Sequence, residues 1–307
     1  MEGEVCWMDV LEAIRVTKKI GSRIVIDDLS FSVKKGHICG FLGPNGAGKT
    51  TMIRLFTGLI RPTNGEVKIH GISVTRSRTQ ALQSVGAIVE EPIFFPYLTG
   101  RKALLNLARL HPQLKRGQRK RKVEEVLEKV DLSHAAEQKV GTYSLGMKQR
   151  LGIAQALLGD PKVIILDEPA NGLDPMGMRE LRNLILKLRE EMGCSFLISS
   201  HLLDELQQLC DDLVVIKEGK LVWQGKMADL FGGTEYVFTL FPLQKAIKLI
   251  QKKYPVQFLS EKQLQVKVPD EEVSQLNHHL IQNGIQVMGV ERRQKRLEDV
   301  FVEMMSP

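Results

Sequence analysis

The stretch Ile38-Cys-Gly-Phe-Leu-Gly-Pro-Asn-Gly-Ala-Gly-Lys-Thr-Thr51 decides the fold. Its first five residues form a short apolar run, the kind buried on both faces of a parallel sheet. A glycine-rich turn follows, and residues 50–59 read as a helix. Gly43-Pro-Asn-Gly-Ala-Gly-Lys-Thr50 satisfies the pattern G-x-x-x-x-G-K-[ST] in the strand–turn–helix setting that the pattern requires. Gly43, Gly46 and Gly48 permit backbone conformations and approaches that a Cβ would block. Successive N–H groups can then face phosphate oxygens, and the start of the helix adds its positive end. The spacing gives Lys49 to β- and γ-phosphates and the Thr50 hydroxyl to Mg²⁺. Gly43, Pro44, Asn45, Gly46, Ala47, Gly48, Lys49, Thr50 and Thr51 are the candidate nucleotide contacts.

Downstream, Val163-Ile-Ile-Leu-Asp-Glu168 ends an apolar strand on two adjacent carboxylates. The core of a sheet cannot hold them, so they emerge at the strand's C-terminal edge, where open α/β sheets bind ligands. Asp167 is the natural second anchor for Mg²⁺. Glu168 alternates to the other side and is placed to polarise an attacking water.

The elements around these two strands set the organisation. Residues 10–42 read as strands. Further strands are expected at 65–71, 85–89, 163–166 and 195–199, with a hairpin of 213–216 and 220–223 around Glu218-Gly219. Helices are expected at 99–110, 123–130, 145–158, 178–192 and 201–210. Strands alternating with helices predict an α/β sheet covered on its faces. The strand-poor block at about 91–160 reads as a helical subdomain inserted into it. The texture changes at Phe231-Gly-Gly233, so the chain divides into 1–230 and 231–307. The second part reads as strand 234–241, helix 243–253, strands 256–260 and 264–268, helix 271–283, strand 285–291 and helix 297–305. That β-α-β-β-α-β order is a ferredoxin-like α+β unit.

The 307 residues are 43 % hydrophobic and 26 % charged, which excludes a fibrous or largely disordered chain. Cys6, Cys39, Cys194 and Cys210 have neither Cys-x-x-Cys pairing nor metal-ligand spacing, and read as small buried hydrophobes of a reducing compartment. No apolar stretch reaches the length of a bilayer-spanning helix, and residues 1–6 lack the basic n-region of a secretory signal. The net charge of +7 is local. Lys115-Arg-Gly-Gln-Arg-Lys-Arg-Lys122 carries six positive charges, and without them the net is +1. The run has no interleaved aromatics, so a solvated helix start is favoured over a nucleic-acid surface.

The segment between the phosphate loop and the acidic strand separates the many nucleotide-binding families. Tyr143-Ser-Leu-Gly-Met-Lys-Gln-Arg150 resembles the signature of ATP-binding-cassette (ABC) proteins. Asn171-Gly-Leu-Asp174 resembles their D-loop, and His201 their switch histidine. Five elements in the family's order cover residues 10–225. The resemblance implies an α/β P-loop NTPase of the cassette type that hydrolyses ATP with Mg²⁺. It also implies that two cassettes meet head to tail, each ATP lying between the phosphate loop of one and the signature of the other. In that arrangement Ser144 and the backbone at Gly146 touch the γ-phosphate across the interface. Asp174 organises the dimer contact, and His201 holds the γ-phosphate and the attacking water.

Three positions depart from the family's pattern. Leu145 and Met147 replace the usual Gly and Gln of the signature, while Ser144 and Gly146 are kept. Glu90 stands for the Q-loop glutamine; its carboxylate can bind Mg²⁺ or a water. Ile20 stands where an adenine-stacking aromatic is usual, which removes that stacking. Pro92-Ile-Phe-Phe-Pro-Tyr-Leu98 resembles the zone that receives a coupling helix of the membrane subunit. The Glu90 loop, the signature variant and the ending Leu297-Glu-Asp-Val-Phe301 look most like the bacitracin-resistance and lantibiotic-immunity cassettes. The expected partners are a separately encoded multi-span membrane subunit and a second copy or related cassette. The expected location is the cytoplasmic face of the membrane.

Overall fold

The computed structural model describes residues 9–230, 235–293 and 297–305. The Phe231–Gly233 boundary expected from sequence, and Cys6, lie outside the described residues. The chain separates into two compact units, Met1–Lys226 and Met227–Pro307.

The first unit is built on β3 (Ile38–Leu42), β6 (Val85–Ile88), β7 (Val163–Asp167), β8 (Ser195–Ser200), β9 (Asp212–Lys217) and β10 (Lys220–Lys226). These form one sheet in the order β10-β9-β3-β8-β7-β6, parallel except for β10. Every residue of β3, β7 and β8 is buried, as their apolar runs demand; the polar residues buried with them are Asp167 at the end of β7 and Ser195, Ser199 and Ser200 at the ends of β8. Helices α1 (Lys49–Phe56), α6 (Pro175–Met192) and α7 (Leu203–Leu209) follow β3, β7 and β8. Each of these three strands therefore delivers its C-terminal end to a loop at one edge of the sheet.

A second, antiparallel sheet accompanies it. It comprises β1 (Asp9–Ile20), β2 (Arg23–Lys34), β4 (Asn64–Ile69) and β5 (Ile72–Ser73), in the order β2-β1-β4-β5. The first three of these strands correspond to stretches read as strands in the sequence; β5 and the separation into a sheet of their own were not legible there. Phe31 of β2 joins the layers. Its ring stacks on Phe41 of β3, centroids 5.2 Å apart, and meets Phe56 of α1 edge-on at 5.7 Å. The three rings are no more than 5 % exposed. Burying each contributes about 1.5–3 kcal/mol.

Short α2 (Arg78–Leu82) leads into β6. Between β6 and β7 lie α3 (Gly100–Ala108), α4 (Arg119–Lys129) and α5 (Leu145–Leu157). Helix α4 starts four residues before the expected Val123, within the basic run. Lys122 is not solvated there: it is 6 % exposed and its Nζ lies 3.1 Å from Glu125 and 2.5 Å from Asp160. Lys115, Arg116, Lys120 and Arg121 are exposed, as a surface helix start requires, while Arg119 is partly buried and its Nε donates to the Leu114 carbonyl at 3.0 Å.

The second unit contains α8 (Met227–Leu230), β11 (Glu235–Phe241), α9 (Leu243–Ile250), β12 (Val256–Ser260), β13 (Gln263–Lys267), α10 (Val273–Gln282), β14 (Gln286–Arg293) and α11 (Leu297–Met305). Its strands pair antiparallel in the order β12-β13-β11-β14. With α9 and α10 as the crossovers, this is the split-βαβ arrangement read from the sequence. Phe238, Leu240, Leu264, Val266, Ala246 and Leu280 form its core.

Candidate functional site

The loop after β3 forms the cradle that its glycines predicted. Gly46 and Gly48 have φ of +79° and +108°. A Cβ on Gly43 would stand 2.5 Å from the Ile216 carbonyl oxygen, and one on Gly48 2.5 Å from Ile26 Cδ1. Gly48 precedes the first residue of α1, and no side chain caps that helix end, so its N–H groups are left for a ligand. A cavity of about 380 Å³ opens over the loop. Pro44, Asn45, Gly46, Gly48, Lys49, Thr50, Thr51 and Glu168 line it, with Arg23 and Val25 of β2. Lys49 is 7 % exposed. Its Nζ donates to the Gly43 carbonyl at 2.7 Å and lies 3.6 Å from Glu168 Oε1.

Glu168 emerges at the strand's C-terminal edge as the sequence placed it, whereas Asp167 stays buried as the last residue of β7, where a neighbour the sequence did not reveal satisfies it. The Ser199 hydroxyl on β8 donates to Asp167 Oδ1 at 2.5 Å. Ser199 Oγ in turn accepts the Glu168 N–H at 3.0 Å, and the Ser199 carbonyl accepts it at 3.1 Å. These bonds hold Glu168 at φ +48°, a conformation that costs a non-glycine residue on the order of 1–3 kcal/mol. The turn sends the two carboxylates to different places. Asp167 is 5 % exposed, whereas Glu168 faces the cavity. A serine inside an apolar strand carries no sequence signal of such a role.

His201 sits beyond the end of β8, before α7, and not within a helix as expected. The Ser200 hydroxyl accepts the Leu202 N–H at 3.0 Å, so the chain makes a turn here before the helix begins. That turn sets the ring beside Glu168: Nδ1 lies 2.7 Å from Oε2, and the His201 N–H donates to the same oxygen at 3.2 Å. Lys49, Glu168 and His201 thus meet, although 119 and 33 residues separate them in turn.

Glu90 has φ +69° and pairs with Arg54 of α1. The carboxylate expected to bind Mg²⁺ or a water thus has a guanidinium of α1 as its partner in this chain. Ile20 ends β1, is 55 % exposed and does not line the cavity.

Ser144, Gly146 and Asp174 form a different site. Ser144 caps α5 by accepting the Met147 N–H at 3.2 Å, and Asp174 caps α6 by accepting the Gly177 N–H at 2.7 Å. With Gly172 and Leu145 they line a cavity of about 610 Å³. No residue is common to this cavity and the one over the phosphate loop.

The residues present fit Mg²⁺ held together with a polyphosphate. Such an ion takes one or two protein oxygens and keeps the remainder from phosphate and water. Thr50 lines the cavity and would supply one hard oxygen donor; Asp167, buried and not on the cavity wall, would supply the other. Among the described residues there is no cluster of three or more His, Cys, Asp or Glu that could hold a metal ion.

The same order of elements is found across known proteins. Residues 26–171 match the family model described as ABC transporter, and the chain is 43 % identical to an uncharacterized ABC transporter ATP-binding protein of Bacillus subtilis, YhcH, over 96 % of this chain and 95 % of that one. The chain belongs to the ABC transporter ATP-binding family. This cassette is also 40 % identical to the bacitracin transport ATP-binding protein BcrA of Bacillus licheniformis, over 96 % of this chain and 97 % of the relative. Among solved structures it is similar to cbiO1 of Clostridium perfringens, described as part of the ABC transporter complex cbiONQ. That likeness has a TM-score of 0.67 and 25 % identity, covering 80 % of this chain and 95 % of the other. As an ABC cassette it binds nucleotide, and the expected α/β P-loop class holds.

Proposed function

We propose that this chain is the Mg²⁺-dependent ATPase of an exporter for antimicrobial peptides or drugs, acting through a separately encoded membrane subunit and a head-to-tail pair of cassettes. One observation carries the reading: the cassette has two complementary half-sites with no shared lining residue. The first has a phosphate cradle with its base and histidine. The second has Ser144 and Gly146 at the start of α5 and Asp174 at the start of α6. Neither half encloses a triphosphate by itself, and a second copy supplies what each lacks.

In this reading the N–H groups of residues 46–50 and the Lys49 ammonium bind the β- and γ-phosphates. Glu168 accepts a proton from the attacking water, while His201 orients that water and the γ-phosphate. Thr50 and Asp167 would hold the metal, which would neutralise charge developing on the phosphates. Ser144 and the Gly146 N–H, contributed by the second cassette, close the γ-phosphate from the far side. ATP joins the halves, and its loss releases them.

Export rests on the similarity to the bacitracin transport protein. Attachment through a partner is supported by a surface segment. Among the described residues no helix is long and apolar enough to cross a membrane, yet Ile93, Phe95 and Tyr97 are 95, 62 and 66 % exposed. The Pro96 and Leu98 carbonyls of this segment accept the N–H groups of Gly141 and Val140 at 2.9 and 2.8 Å. A rigid aromatic segment between Glu90 and the inserted helices fits a partner's helix.

The test is affinity purification of Glu168→Gln from mild-detergent extracts with ATP and Mg²⁺. A stoichiometric multi-span membrane protein is the expected companion. Ribosomes or RNA in its place would overturn the transporter role.

A further inference from the structure

The cavity over the phosphate loop continues past the loop. Its far wall is the start of β2, where Arg23 and Val25 line it. Residues two apart on a strand share a face and stand about 7 Å apart, so Arg23 lies one step outward from Val25 on the cavity side. Val25 is fixed against the loop. Its carbonyl oxygen is 3.1 Å from where a Cβ on Gly48 would be. The Asp27 N–H donates to the Gly219 carbonyl, and the Gly219 N–H donates to the Ala47 carbonyl, both at 3.0 Å. Arg23 is exposed, and its guanidinium makes no hydrogen bond or ion pair with the described residues. Ile20, its partner across the hairpin, is not on the cavity wall. The near end of the cavity thus holds phosphate donors, and the far end one planar, uncommitted cation.

We propose that Arg23 is the platform on which the nucleobase of bound ATP stacks. The inference rests on the nucleotide reading above and extends it to the base. With the β- and γ-phosphates in the loop, the wall outside the loop that the described residues offer to ribose and base is Val25 and then Arg23. A guanidinium is planar, delocalised and weakly hydrated, and lies favourably on an aromatic face. The polyphosphate already has Lys49 and the loop N–H groups, so Arg23 is not needed there. Stacking face-on reads no base edge. ATP and GTP should therefore gain alike, whereas an edge-on guanidinium would favour guanine, which offers it two acceptors.

The experiment is calorimetric binding of ATP, GTP and inorganic tripolyphosphate, each with Mg²⁺, to the full chain and to Arg23→Ala and Arg23→Trp. Arg23 is exposed, so both variants should fold, and their thermal transitions check this. Arg23→Ala should weaken ATP and GTP each by roughly 2- to 30-fold and leave tripolyphosphate within about twofold. Arg23→Trp, which keeps a stacking face without the charge, should recover ATP and GTP binding. Equal loss of tripolyphosphate would make Arg23 a phosphate ligand and overturn the proposal, as would unchanged ATP affinity or a loss confined to GTP. Lys49→Ala separates the two levels. If the unaltered chain binds no ATP, the nucleotide reading itself fails. If Lys49→Ala loses ATP and Arg23→Ala does not, only the base platform fails.

Discussion

His201 Nδ1 lies 2.7 Å from Glu168 Oε2, and Lys49 Nζ lies 3.6 Å from the other oxygen of that carboxylate. Both oxygens of the proposed base thus have partners within the chain itself. Glu168→Gln retains the shape and a carbonyl oxygen for His201, so the fold should persist while proton acceptance is lost. Turnover should fall by a factor of about 100 or more, with ATP binding preserved and an ATP-bound dimer accumulating. Phosphate release and size-exclusion chromatography with ATP check both halves; turnover near the parent rate would remove Glu168 from its role.

Gly48 and Gly46 both have positive φ, but only one is crowded. A Cβ on Gly48 meets Ile26 at 2.5 Å, whereas one on Gly46 meets nothing within 4 Å. Gly48→Ala should therefore destabilise more than Gly46→Ala, which carries backbone strain alone. We expect the former to cost more than about 1 kcal/mol and to abolish ATP binding through displacement of the loop. Denaturant unfolding and ATP titration of the pair measure the difference.

Ser144 has two tasks that can be separated. Its hydroxyl caps α5, so Ser144→Ala should cost about 1 kcal/mol of stability. Ser144→Arg adds bulk and charge at the proposed meeting surface. In a Glu168→Gln background it should stay monomeric with ATP, as read by light scattering. ATP binding by that monomer should be unchanged, because Ser144 does not line the phosphate-loop cavity.

Acid should weaken the first unit through two histidines. Desolvation holds His70 and His111 below the ordinary imidazole value; Lys162 and Lys35 add to the effect at His70. Below the unfolded value the unfolded chain then binds more protons than the folded one, so stability rises with pH. The contribution is intact above about pH 6.5 and declines as pH falls through the unfolded value toward the depressed folded ones. Thermal transitions between pH 7.5 and 5 should drop less in His111→Gln than in the parent chain. An equal slope would show that His111 does not titrate in this way.

The sequence determined much of this protein. Buried parallel strands announce themselves as unbroken apolar runs, as Ile38–Leu42 and Val163–Leu166 do. The phosphate cradle is equally local, since G-x-x-x-x-G-K-[ST] between strand and helix turns successive backbone N–H groups toward one point. The β-α-β-β-α-β order of residues 235–293 was readable because each helix and strand keeps its own hydrophobic period.

Only the tertiary structure decided the rest. Period-two alternation cannot say which sheet a strand joins, so the separate antiparallel sheet of β1, β2, β4 and β5 stayed hidden until pairing was seen. Glu90 found Arg54, and Asp167 and Glu168 found Ser199, through parallel neighbours and helix placement that leave no mark on either segment. His201 meets Glu168 because β7 and β8 lie side by side. A sequence states which groups a chain carries. Distances among Lys49, Glu168 and His201 arise only when long-range strand pairing brings remote loops to one edge of a sheet.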